Sequence, residues 1–153
     1  MNIIKKIAVA LLIVLVLIQF YRPEKNNAEY RDVTAFLEDT KPNKNVQAIL
    51  SKNCYDCHSN KTNYPWYSNI APVSFWLDHH IEEGNEHFNL SNWASYNVKK
   101  RDHKLDELIE EVEEGEMPLQ SYTILHGALN DNDKEALIDW AKQARKNYDL
   151  VKK

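Results

Sequence analysis

Residues 54–58 read Cys-Tyr-Asp-Cys-His, and Cys54 and Cys57 are the two cysteines of the 153-residue chain. Two thiols three positions apart share one side of a helical turn. There each can add to one vinyl group of a porphyrin and form a thioether. The next residue, His58, is then carried under the iron, with an imidazole nitrogen available as the proximal ligand. The chemistry expected of this spacing is covalent attachment of one haem per chain. Three other uses compete for the same five residues. A zinc site needs four ligands, usually as two paired clusters, and the chain has neither a second cysteine pair nor a histidine pair at finger-like spacing. A dithiol redox motif belongs at the end of a strand in a βαβ pattern, and no such alternation is visible. A structural disulfide leaves His58 without a role.

A second group able to bond iron lies in Gly115-Glu116-Met117-Pro118-Leu119. Apart from the initiator, Met117 is the one methionine of the chain. A thioether in a loop stiffened by a following proline suits the sixth position of a haem iron. The bland reading of a lone methionine is core filler. His80 and His126, both among apolar neighbours, compete for that position, and an open sixth site is the remaining alternative. In the aromatic, proline-containing stretch 59–72, Tyr64, Trp66 and Tyr67 are candidates to pack on a porphyrin edge and bond its carboxylates. A carbonyl of the same loop is expected to accept the second ring N–H of His58.

These residues need a scaffold, and the composition favours helices. Three glycines, five prolines and 27% charged residues argue against disorder and against a turn-rich β fold. With 19 Lys and Arg against 23 Asp and Glu, the net charge of −4 disfavours nucleic acid as a partner. Apolar residues recur at helical spacing. A short helix is predicted over 30–37, and a first core helix is predicted from an Asn45 cap into the cysteine pair. A second is predicted over 74–84, a third within 91–114, and a last from Asn130 onward. The third predicted helix carries a dense acidic face, from Asp106 to Glu114, that reads as a solvated surface.

Residues 1–22 read as an uncleaved signal anchor. Lys5 and Lys6 precede an apolar run from Ile7 to Phe20, broken by Gln19, and no small-x-small cleavage site follows. Counting from Ile3 and letting the lysines snorkel gives about 19 residues, enough to span a bilayer. Residues 23–43 read as a tether with a short helix, and residues 44–153 as the haem-binding domain. The expected placement is a single-pass inner-membrane protein, held to the membrane by its N-terminal helix, with the haem domain in the periplasm.

With its cysteine pair, loop, late Met-Pro and C-terminal amphipathic helix bearing Trp140, the chain resembles a class I c-type cytochrome. More narrowly it resembles the small membrane-anchored haem-binding domain family of bacteria. The stretches that carry this are Ile18-Gln-Phe-Tyr-Arg-Pro-Glu-Lys-Asn, Cys54-Tyr-Asp-Cys-His-Ser-Asn, Tyr64-Pro-Trp-Tyr-Ser-Asn-Ile-Ala-Pro-Val-Ser, and Glu116-Met-Pro-Leu-Gln-Ser-Tyr with a later Leu-His. The resemblance implies an all-α, cytochrome c-like domain around one covalently bound haem c, preceded by one N-terminal membrane helix. It implies that Cys54 and Cys57 hold the porphyrin, that His58 is the proximal iron ligand and that Met117 is the distal one. The expected function is one-electron transfer with redox proteins as partners, not conversion of a substrate. The alternative is a haem peroxidase or a gas or redox sensor with an open or histidine-ligated distal site.

Overall fold

A computed structural model describes residues 2–149. Among them the regular structure is helical: α1 (Ile3–Ile18), α2 (Thr34–Thr40), α3 (Lys44–Asn53), α4 (Val73–His87), α5 (Val98–Glu114), α6 (Gln120–His126) and α7 (Asp131–Asp149), with single 3-10 turns at Trp66–Asn69 and Leu90–Ser95. No β-strand occurs among the described residues, the one bridge being an isolated pair between Asn27 and Lys61.

The N-terminal helix corrects the sequence reading. It has 16 residues, about 24 Å at 1.5 Å per residue, against a hydrocarbon core of about 30 Å. No helix among the described residues is long and apolar enough to cross a membrane. The expected membrane helix, the single-pass inner-membrane placement and the periplasmic orientation built on it are therefore not supported. The count of spanning residues ran through Gln19, which the fold uses otherwise. Its side-chain amide donates to the Ala71 carbonyl and accepts from the Ala71 N–H, each at 3.0 Å. Tyr21 packs edge-on against Phe75, and Arg22 donates to the Asn69 carbonyl. The chain after α1 is thus stitched onto the loop that leads into α4.

Local signals explain most helix ends. The side chain of Asn43, not the expected Asn45, caps α3 by accepting from Val46 N–H. The Asn97 side chain caps α5 through Lys100 N–H, and Asn130 accepts from Asp133 N–H at the start of α7. Helix α5 ends at Gly115, whose φ of 81° only a glycine adopts without strain. The core forms where Leu105, Ile109 and Val112 of α5 meet Leu137, Ala141 and Ala144 of α7, each set recurring at helical spacing. Phe36 of α2 and Trp93 of the second 3-10 turn are fully buried behind them. This block fixes the floor on which α3, α4 and the 115–119 loop arrange the site.

Candidate functional site

The cysteine pair continues α3 as one further turn. Cys57 N–H and His58 N–H both donate to the Cys54 carbonyl, at 3.2 and 2.9 Å. Ser59, fully buried, closes the turn by donating to the Tyr55 carbonyl at 2.6 Å. Asp56 meets Arg31 at 2.6 Å, and the Arg31 guanidinium also lies over the Tyr55 ring. The segment before α2 therefore straps the outside of the turn and leaves its inside free.

The inside faces a cavity of about 380 Å³, within the usual range of a small-molecule site. Cys54, Cys57, His58 and Met117 all line it, together with His80. A larger cavity of about 760 Å³ adjoins it and shares Met117, Pro118, Leu119, Val112 and His80 as wall. His126 lines neither: its Nε2 pairs with the Tyr67 hydroxyl at 2.8 Å, and its ring stacks on Tyr122. Tyr64, Trp66 and Tyr67 also lie outside both walls; Tyr64 instead accepts from Asn26 N–H.

His58 is held by two carbonyls, Gly84 O at 2.9 Å and Phe88 O at 2.8 Å, both facing its Nδ1. Carbonyls only accept, so Nδ1 carries the hydrogen and the lone pair is left on Nε2. This is the arrangement that orients a metal-binding imidazole. Burial lowers the affinity of His58 for a second proton, outweighing the opposing pull of the Phe88 and Gly84 carbonyls. The ring is thus kept neutral and able to donate. The carbonyls come from the last turn of α4 and from Phe88 just after it, not from the 59–72 loop as the sequence reading expected.

Gly84 is the residue that reading passed over. A Cβ at this position would sit 2.7 Å from the Cys57 carbonyl oxygen and 3.2 Å from Cys57 Cβ. Only glycine lets α4 come this close to the cysteine turn, and that approach brings its carbonyls within reach of His58. The available signal was a lone glycine inside an amphipathic helix of a glycine-poor chain.

Both thiols are free in the described structure. Burial pushes Cys54 up to about 12, with Cys57 adding to the shift. Burial, aided by Asp56, pushes Cys57 up to about 11. A dithiol redox site works through a thiolate of lowered pKa, so these neutral thiols do not fit that use. Among the described residues no group of three or more His, Cys, Asp and Glu is placed to hold a metal ion by itself.

The model of a family described as haem-binding domain matches residues 13–143. No curated protein and no solved structure matches the chain. The site suits the group that this family binds. The cavity offers two uncharged thiols, an imidazole whose free nitrogen lacks a proton, and apolar walls from Leu50, Leu90 and Leu137.

Proposed function

The chain belongs to the haem-binding domain family, and we propose that it works as a one-electron carrier of the class I c-type cytochrome kind. On this reading Cys54 and Cys57 hold one haem through thioethers, His58 is the proximal iron ligand and Met117 is the sixth ligand. The observation that supports it is the convergence of all four residues on one cavity, with His58 oriented by two backbone carbonyls.

Haem held by these residues would supply an iron able to alternate between ferrous and ferric states. The chain's own residues set the conditions for that. His58, held by its Nδ1–H, keeps a fixed direction, and the carbonyls make its other nitrogen a stronger donor. Leu50, Leu90, Leu108 and Leu137 give the cavity apolar wall. With haem bound, ligation by the Met117 sulfur and the His58 nitrogen would give a higher potential than two nitrogen ligands. Electron transfer makes and breaks no substrate bond, so the proposal is a carrier and not an enzyme, with redox proteins as its partners.

The experiment has two readouts on the haem-loaded protein. Haem should stay with the chain through acid–acetone extraction, and Cys54→Ser or Cys57→Ser should lose most of it. The ferric protein should show low-spin iron with a sulfur-to-iron charge-transfer band, and the ferrous protein should resist carbon monoxide. Complete extraction from the unmodified protein would end the covalent reading. Rapid carbon monoxide binding together with peroxide turnover would replace the carrier with a haem enzyme or sensor.

A further inference from the structure

We propose that His80 is a second ligand for the haem iron, a nitrogen donor that takes the sixth position whenever Met117 leaves it. The proposal rests on the haem reading above, with Met117 as the ordinary sixth ligand. The first observation is placement. His80 and Met117 both belong to the wall shared by the inner and outer cavities. The outer cavity touches neither cysteine nor His58; the shared wall is where the two cavities meet, and it holds two side chains able to bond iron, His80 and Met117.

The second observation is an unused nitrogen. His80 Nδ1 is buried and has no hydrogen-bond partner. A buried polar atom without a partner is uncommon enough to need a cause, and an imidazole nitrogen is the commonest protein ligand for metals. The other histidines are accounted for. His58 is held by carbonyls, His126 pairs with Tyr67, His79 faces Glu83, and His103 faces Glu107. His87 sits exposed at the last turn of α4, on the rim of the inner cavity.

The third observation concerns which of the two groups is free to move. His80 lies on α4 one turn before Gly84, so it shares a helix face with the carbonyl that holds His58. Trp76 packs on its ring at 4.3 Å between centroids. Met117 instead lies in a loop between α5 and α6. The loop is tied by its N–H to the Glu111 carbonyl and has the outer cavity on one side. The methionine has room to withdraw, while the histidine stays with the helix that fixes the proximal ligand.

The test compares Met117→Ala, His80→Ala and the double variant as haem-loaded proteins, by absorption, electron paramagnetic resonance and titration with imidazole and carbon monoxide. With His80 as the replacement ligand, Met117→Ala stays low-spin with a two-nitrogen signature and resists carbon monoxide. The double variant becomes high-spin. It should bind imidazole at least about tenfold more tightly than Met117→Ala, the factor expected if His80 fills the position about nine-tenths of the time. Should Met117→Ala turn high-spin and bind imidazole as tightly as the double variant, the proposal is overturned while the His58 and Met117 assignment stands. A high-spin Met117→Ala, with a potential shift in His80→Ala alone, assigns His80 to a haem carboxylate and overturns it equally. If Met117→Ala fails to fold, the volume-conserving Met117→Leu replaces it in every comparison. Failure of the carrier reading looks different: the unmodified protein itself would lack the sulfur-to-iron band.

Discussion

Around Trp93 the chain closes on itself completely. The indole packs edge-on against Phe36, whose ring meets Trp140 in the same way. The indole N–H donates to Asp39 at 2.8 Å, and the same carboxylate accepts from Tyr148 at 2.5 Å and from Arg101 at 3.3 Å. Burial and the bond to Asp39 both push the Tyr148 phenol upward. Around His58 the chain stops short of closure. There the contacts are backbone carbonyls, a glycine and a loop, and what they enclose is a cavity. One region uses its aromatic residues to fill space and to satisfy a half-buried carboxylate. The other leaves two thiols, a donor nitrogen and a thioether facing a space the protein does not fill. Stability and function are thus assigned to two regions that meet at Phe88, whose ring contacts both Trp93 and His58, and substitutions should separate them.

The largest separation is expected between Trp93→Ala and Met117→Leu. Trp93 is fully buried, and truncating it removes the ring contacts and one partner of Asp39. The cost should be about 3–5 kcal/mol, read by denaturant unfolding of the haem-free chain, with the spectrum of any folded, haem-loaded protein unchanged. Met117 is half-buried against the core, and leucine nearly conserves its volume. That change should cost less than about 1.5 kcal/mol yet abolish the sulfur-to-iron band. Equal losses of stability would break the contrast between the two regions.

Gly84→Ala tests the seam between them. Helix propensity alone favours alanine by about 1 kcal/mol. The added methyl would meet the Cys57 carbonyl oxygen at 2.7 Å, a backbone atom that cannot swing aside. The clash should win, giving a net loss of about 1–3 kcal/mol. It should also move α4 off the cysteine turn and lengthen the bonds from its carbonyls to His58. The signature is a lowered unfolding midpoint together with a changed haem potential. A stabilised variant with an unaltered potential would show that the close approach does not set the ligand.

The same contrast explains what was legible in the sequence. Cys54, Cys57, His58 and Met117 could be singled out as candidates because their chemistry depends on residue type and local spacing, and the fold brings them to one cavity. Helices α5 and α7 were readable because each buries a long stripe, such as Leu105, Ile109 and Val112; α4 was readable from the spacing of its apolar residues, although Val73 and Trp76 stay exposed and Ile81 is the one that is buried. Helix α6 was not: it runs for seven residues with no buried side chain, so no apolar period marks it. The role of Gln19 was hidden because its partner, Ala71, lies 52 residues away. The same holds for the carbonyls of Gly84 and Phe88, since any residue type offers a carbonyl and only the fold decides which one His58 meets. The second 3-10 turn, with Trp93 at its centre, was absorbed into a longer predicted helix. A lone buried tryptophan has no periodicity to separate it from its neighbours.

The smallest expected effect is a pH dependence confined to the cavity side. Burial holds Cys54 near 12 and Cys57 near 11, above an ordinary thiol value of about 9. The folded chain therefore keeps protons that the unfolded chain releases. Their contribution to stability is fully present below pH 9 and is lost as pH rises toward 11–12. His58 is shifted the other way, below 6.5. Its contribution is present above that value and fades as pH falls, because the unfolded chain then binds the extra proton. The haem-free protein should have a stability plateau between these limits. Above it, each thiol should add a slope that approaches about 1.4 kcal/mol per pH unit. The clean window is pH 9–10, just under the ordinary range of tyrosine, and the control is the Cys54→Ser/Cys57→Ser double variant, which should lack the slope. Thioether sulfurs do not titrate, so the haem-loaded protein should also lack it. A slope that survives haem loading would mean that the two sulfurs remain thiols.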